Sequence, residues 1–126
     1  MSLDGAYRLA IPIFATQIKA GEPCTINNNG EQRRDYTFVD DVVQANIMCA
    51  QHLSQFNGET YNVGNGDNVT VNELVDMMGG TKSYGNKVTE PFETLASYAK
   101  IDLDLDWQPK GDLQKWITNY MEQINA

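Results

Sequence analysis

Short β-prone runs alternate with amphipathic helical patterns along the chain. That order is the strongest constraint on its fold and implies a small mixed domain of the α/β (α+β) class. The first helical pattern spans Ala6 to Ala20, with Leu9, Ile11, Ile13, Phe14 and Ile18 on one side, an interruption or start near Pro12, and Gly21 as its stop. Pro23-Cys24-Thr25-Ile26 follows as a β-prone run. It is closed by Asn27-Asn28-Asn29-Gly30, a turn because Asn and Gly tolerate positive φ. Tyr36-Thr37-Phe38-Val39 is a second such run, and Tyr61-Asn62-Val63-Gly64 a third.

Between these runs the helical spacing is explicit. Asp40-Asp41 precede Val42, Val43, Ala45, Ile47, Met48, Ala50 and Leu53, a helix expected to reach about Gln55 and to exit at Asn57-Gly58. Thr70-Val71-Asn72-Glu73 fits a capping box, with Val71, Leu74, Val75 and Met78 as the buried face and Gly79-Gly80 as the end. Thr81 to Gly85 reads as a loop and Lys87-Val88-Thr89 as a brief strand. Ile101-Asp102-Leu103-Asp104-Leu105-Asp106-Trp107 alternates with the period of a strand. After the turn Gln108 to Asp112, the residues Leu113, Trp116, Ile117, Tyr120, Met121 and Ile124 mark a last amphipathic helix.

With 126 residues the chain suits one domain, 1–126, of modest core; residues 1–5 are open to reading as a leader or a disordered end. The 17 acidic against 9 basic residues, a net charge of −8, exclude nucleic acid and anionic membranes as general partners. An anionic ligand would therefore depend on a few local donors, and the arginines are Arg8, Arg33 and Arg34. Cys24 and Cys49 show neither disulfide nor metal-ligand spacing and read as free thiols. No apolar run approaches the roughly 18 residues of a membrane span, so the expected location is cytoplasmic.

The segment Gly30-Glu31-Gln32-Arg33-Arg34-Asp35-Tyr36-Thr37-Phe38-Val39-Asp40-Asp41-Val42 resembles the signature G-x-Q-x-R-D-(F/Y)-x-(Y/F)-V-x-D of the extended short-chain dehydrogenases, the NAD-dependent epimerase/dehydratase family that includes UDP-glucose 4-epimerases. Other blocks are similar in order and spacing: Ala10 to Phe14, Gly21 to Pro23, Tyr61 to Gly64, Val71 to Leu74, and Leu105 to Pro109. The resemblance implies a C-terminal substrate-binding portion for a UDP- or dTDP-linked sugar, without its NAD-carrying Rossmann half. On that basis Arg34 would clamp the diphosphate, because a guanidinium fork suits phosphate oxygens. Thr25, Ile26 and Asn27 would form the strand edge along which the base lies. Asp35, Asp40 and Asp41 read as capping and ion-pairing residues, Asn62 as a satisfied buried amide, His52 as a surface or boundary residue, and Gly64-Asn65-Gly66 as a strand-to-helix turn.

The sequence also departs from the family pattern. The Gly-rich NAD loop and the Tyr-x-x-x-Lys pair are absent; Tyr98-Ala99-Lys100 has the wrong spacing. The chain by itself is therefore expected to bind no cofactor, with NAD implied only for an intact family enzyme, an isomerase or lyase. Pro91-Phe92-Glu93 stands where the family has a second arginine, and the stretch after it is shorter than in the family. In relatives the Ile101 to Trp107 segment is a short helix, and a helix is the reading adopted for it. Two alternatives remain beside the catalytically incomplete substrate domain: a non-catalytic nucleotide-sugar-binding module, and an oligomerising remnant whose exposed apolar face promotes self-association.

Overall fold

The computed structural model describes residues 10–52 and 58–125. In chain order the elements among them are α1 (Ala10–Lys19), β1 (Cys24–Asn27), β2 (Arg33–Arg34), α2 (Val39–Gln51), β3 (Val69–Thr70), α3 (Val71–Met78), β4 (Lys82–Asn86), α4 (Ala99–Leu105) and α5 (Leu113–Asn125). They form a mixed α/β chain with two two-stranded sheets, β1–β4 and β2–β3. The chain divides into two compact units, each discontinuous in sequence. One takes the segment up to Arg33, Val69–Phe92 and the segment from Leu113; the other takes Arg34–Asn68 and Glu93–Asp112.

In the first unit, β1 and β4 run parallel, with Cys24 beside Lys82 and Ile26 beside Tyr84. The expected Thr81 to Gly85 loop is thus corrected to a strand. Lys-Ser-Tyr-Gly-Asn has little intrinsic strand preference, and the pairing with β1, begun by the 2.8 Å bond from Cys24 N to Thr81 O, imposes the conformation. The brief strand expected at Lys87 to Thr89 does not form. There the Asn28 carboxamide brackets Val88, donating from Nδ2 to its carbonyl (3.1 Å) and accepting from its amide (3.2 Å), so a side chain replaces the next ladder step. Asn28 can do this because its φ is +55°, inside the expected Asn27 to Gly30 turn.

Helix α3 has the anticipated ends and face. Thr70 Oγ1 accepts from Glu73 N at 3.0 Å, Gly79 is left-handed at φ 79°, and Val71, Leu74, Val75 and Met78 are buried. They pack with Ile11, Phe14 and Ala15 of α1, Cys24 and Ile26 of β1, and Ile117 and Met121 of α5. Pro12 lies in the first turn of α1 as described, where its ring costs little; the part expected before Ala10 lies outside the described residues. Gly21, at φ +74°, follows the helix as its stop.

In the second unit, the alternating segment is a helix. Ile101 and Leu105, one helical turn apart, are buried, whereas Leu103 is 86% exposed. Leu105 is followed by Asp106 in a left-handed conformation (φ 57°), and Trp107 turns back into the core at 1% exposure. Ala45, Ile101, Leu105 and Trp107 form that core, with Met48, Cys49, Tyr61, Val63 and Tyr98 around it. Three expectations are corrected in this unit. Tyr36 to Val39 is not a strand, because Val39 already begins α2. Asp40 and Asp41 lie within the first turn rather than ahead of it, and Phe38 occupies the cap position without a side-chain bond. Tyr61 to Gly64 forms no strand. The expected helix end near Gln55 lies outside the described residues.

A helical Ile101 to Trp107 predicts unequal losses in urea denaturation. Ile101→Ala and Leu105→Ala should each cost about 2–5 kcal/mol, and Leu103→Asp should stay within about 0.5 kcal/mol. Comparable losses at all three positions would contradict the helix.

Candidate functional site

Of the residues singled out for the base, Ile26 is fully buried, so its side chain faces the core and only its backbone could meet a ligand. Thr25 is exposed, but Gln17 engages it twice: its Oε1 accepts from Thr25 N and its Nε2 donates to Thr25 Oγ1, both at 3.0 Å. Asn27 is half-buried, and its carbonyl accepts from Gln32 Nε2 at 3.1 Å. The three are contiguous in β1 of the first unit, whereas Arg34 belongs to the second.

The turn after β1 is built around Gly30. Its φ is +74°, and a Cβ there would overlap the Asn72 carboxamide. Asn72 Nδ2 donates to Asn29 O at 3.0 Å and Glu31 Oε1 at 2.7 Å, while Tyr84 Oη donates to Asn72 Oδ1 at 2.7 Å. Gln32 is buried; its Nε2 also donates to Glu90 Oε1 at 2.6 Å, and its Oε1 has no hydrogen-bond partner among the described residues. Arg33 N donates to Phe92 O at 2.7 Å, and its guanidinium lies 3.8 Å from Glu73. The position where the sequence lacks a second arginine is thus an exposed phenylalanine, Phe92, held to the arginine motif by backbone.

In the second unit, Arg34 is half-buried and immediately precedes Asp35. The Asp35 carboxylate accepts three backbone amides: Asn65 at 3.0 Å, Gly66 at 3.1 Å and Ala96 at 3.0 Å. Its own amide donates to Thr94 Oγ1 at 3.1 Å. Successive amides that converge on one point form a nest for an anion, and here the anion is the protein's own carboxylate. The Gly64-Asn65-Gly66 loop, expected as a strand-to-helix turn, therefore supplies two of the amides that hold Asp35. Gly64 leaves no room for a Cβ beside Ala96, and Gly66, at φ +74°, lies against the Tyr98 ring. Sequence reading missed Thr94 and Ala96 as partners of Asp35. The glycines of the loop carried the only signal.

Asp41 acts in the same manner. Its carboxylate accepts the amides of Lys110 and Gly111, each at 3.0 Å, and its carbonyl accepts from Trp107 Nε1 at 3.1 Å. Asp35 and Asp41 are thus structural, as expected, but they cap loops rather than helices. Asp40 is exposed. Asn62 is a correction, being exposed with no side-chain hydrogen bond among the described residues. His52 is half-buried, with Nδ1 2.7 Å from Met48 O. Burial and a 2.9 Å hydrogen bond to Asp104 push the Tyr61 phenol up to about 12. Both cysteines are free, Cys24 buried and Cys49 half-buried, and burial raises the Cys24 thiol. Among the described residues no cluster could hold a metal, and no helix is long and apolar enough to cross a membrane. A cleft of about 400 Å³ opens beside Asp35, lined by Thr37, Asn62, Val63, Leu95 and Ser97.

Comparison with known proteins places these features in context. Residues 4–64 match the model of the NAD dependent epimerase/dehydratase family. A putative UDP-glucose 4-epimerase of Methanocaldococcus jannaschii is 28% identical over 124 residues, which cover 91% of this chain and 39% of that protein. The crystal structure of UDP-glucose 4-epimerase with UDP-glucose from Thermotoga maritima is 29% identical, with a TM-score of 0.79, over 96% of this chain and 40% of that one. UDP-glucuronic acid 4-epimerase from Bacillus cereus, in complex with UDP-glucuronic acid and NAD, shares the fold at a TM-score of 0.81 and 24% identity, over 92% and 40% of the two chains. The chain therefore spans about two-fifths of the length of these relatives.

If Asp35 is a loop clamp, Asp35→Ala should cost about 2–4 kcal/mol by leaving amides without an acceptor, and Asp40→Ala should stay within about 0.5 kcal/mol. Thermal melts of the two variants read the difference. Equal effects would remove the clamp.

Proposed function

We propose that this chain, a relative of the NAD dependent epimerase/dehydratase family, is the C-terminal nucleotide-sugar-binding portion of such an enzyme and is catalytically incomplete alone. The observation that carries the reading is the backbone-clamped Arg34-Asp35 pair. The three amides that hold Asp35 hold the residue after Arg34, so the arginine's main chain is fixed. Its guanidinium would engage the diphosphate of a UDP- or dTDP-linked sugar with two parallel hydrogen bonds. Thr25, Ile26 and Asn27 would meet the base through the backbone groups of β1 that Gln17 and Gln32 leave open, since the Ile26 side chain is buried and the Thr25 hydroxyl is held by Gln17.

NAD would belong to a part of such an enzyme that this chain does not span, and hydride chemistry with it. No Tyr-x-x-x-Lys pair occurs in the sequence, and the Lys100 ammonium lies over the Tyr61 ring and donates to Thr60 O at 3.1 Å. The oligomerising alternative has its own support in Val39, Val43 and Ile47, which leave an exposed apolar ridge on α2 through which the isolated chain would self-associate.

Calorimetric titration with UDP, dTDP, UDP-glucose and NAD tests the reading. A nucleotide diphosphate should bind, Arg34→Ala should weaken it at least about tenfold, and NAD should give no heat. Binding that Arg34→Ala leaves unchanged would overturn the assignment. Light scattering of the same sample should report a dimer at high concentration; a strict monomer would count against the ridge.

A further inference from the structure

The sequence contains three Asn-Gly pairs: Asn29-Gly30, Asn57-Gly58 and Asn65-Gly66. In such a pair no side chain hinders the approach of the glycine nitrogen to the asparagine Cγ, so the dipeptide is open to loss of the side-chain amide. Asn57 lies outside the described residues. The other two pairs both sit in loops, yet the fold treats their reacting atoms differently.

At Asn65-Gly66 the nucleophile is held. Gly66 N donates to Asp35 Oδ2 at 3.1 Å, and Asn65 N donates to the other carboxylate oxygen at 3.0 Å. The attack needs a glycine amide that has given up its proton, and a carboxylate that accepts that proton in a charge-assisted bond opposes its loss. At Asn29-Gly30 the same atoms are open. Among the described residues neither Gly30 N nor Asn29 Nδ2, the leaving group, makes a hydrogen bond. Asn29 Oδ1 accepts from Glu31 N at 3.1 Å, which folds the side chain along the following peptide and polarises its carbonyl toward attack.

Gly30 is buried and Gly66 is exposed, so exposure of the glycine alone would favour Asn65. The bond to Asp35 reverses that order because it acts on the reacting nitrogen itself. Asn29 is exposed, so water can reach the product of the first step. Nor can the turn exchange its reactive glycine, since Gly30 has φ +74° and a Cβ there would overlap the Asn72 carboxamide.

We infer that Asn29 is a site of spontaneous deamidation and isomerisation that opens the turn after β1, and that Asp35 shields Asn65 from the same reaction. Gly30 N loses its proton to solvent base and bonds to Asn29 Cγ. The Cγ–Nδ2 bond breaks, the amine takes a proton from water and leaves as ammonia, and a cyclic imide closes. Water then adds to one of the two imide carbonyl carbons and breaks its bond to Gly30 N, giving aspartate or isoaspartate. No oxidant or reductant takes part. Isoaspartate routes the main chain through Cβ, which adds one methylene before Gly30. Asn72 holds both sides of that point, with Nδ2 donating to Asn29 O and N donating to Gly30 O, each at 3.0 Å. The longer path pulls these two anchors out of register.

Peptide mapping by mass spectrometry, on the full chain aged in mildly alkaline buffer and on a urea-unfolded sample beside it, tests the inference. In the native chain Asn29 should convert at least about tenfold faster than Asn65, and in urea the two should convert at similar rates, because only the folded chain shields Gly66. Amide hydrogen exchange at Asn72 should quicken at least about tenfold in the separated isoaspartate form, while Asn29→Asp, which adds the charge without the methylene, exchanges as the parent does. Equal native rates, faster native conversion at Asn65, or a native ratio no larger than the ratio in urea would each overturn the inference. So would an Asn29 that stays intact in the native chain while it converts in urea, or an Asn72 amide indifferent to the isoaspartate.

Discussion

The second unit depends on backbone amides captured by carboxylates. Asp35 gathers Asn65, Gly66 and Ala96, and Asp41 gathers Lys110 and Gly111 while its carbonyl holds the indole of Trp107. An ionised acceptor with several lone pairs can organise loops that lack regular structure, and each such bond is stronger than a neutral one. Both aspartates come from the segment that also supplies Arg34. One stretch of sequence thereby fixes the loops of a unit and positions the residue proposed to meet the ligand.

The first unit relies on packing and on amide side chains. Asn72 binds the turn after β1, Asn28 extends the β1–β4 pairing, and Gln17 engages Thr25. These side chains replace ladder bonds that a two-stranded sheet cannot provide, which is how so short a sheet keeps a defined edge. That edge is where the base of a nucleotide sugar is proposed to lie. Since Ile26 is buried and the Thr25 hydroxyl is occupied, its recognition would be by backbone, a mode with little side-chain signature.

What was legible in the sequence followed from local physics. The Thr70 cap, the Gly79 stop, the Asn27 to Gly30 turn and the faces of α3 and α5 are set by residues within one or two turns of each other. The Ile101 to Trp107 helix was not legible from period alone, because Ile101, Leu105 and Trp107 give the same alternation whether or not Leu103 is buried; the family resemblance decided it correctly. Strand β4 escaped because its partner, β1, lies far away in sequence and its own residues are indifferent. The strand expected at Tyr61 to Gly64 failed for the opposite reason, since a strong local preference does not by itself make a ladder. Asp35 was read as structural, yet Asn65, Gly66 and Ala96, its partners, are distant and contribute only amides, which no sequence pattern reveals.

The reading turns on Arg34, which we propose receives the diphosphate of a nucleotide. A two-dimensional amide NMR titration of the chain with UDP tests it. Progressive shifts are expected at Arg34 and its neighbours in the motif, with Ile101, Leu105 and Trp107 unmoved. No shifts, or shifts that leave Arg34 and its neighbours unmoved, would contradict it.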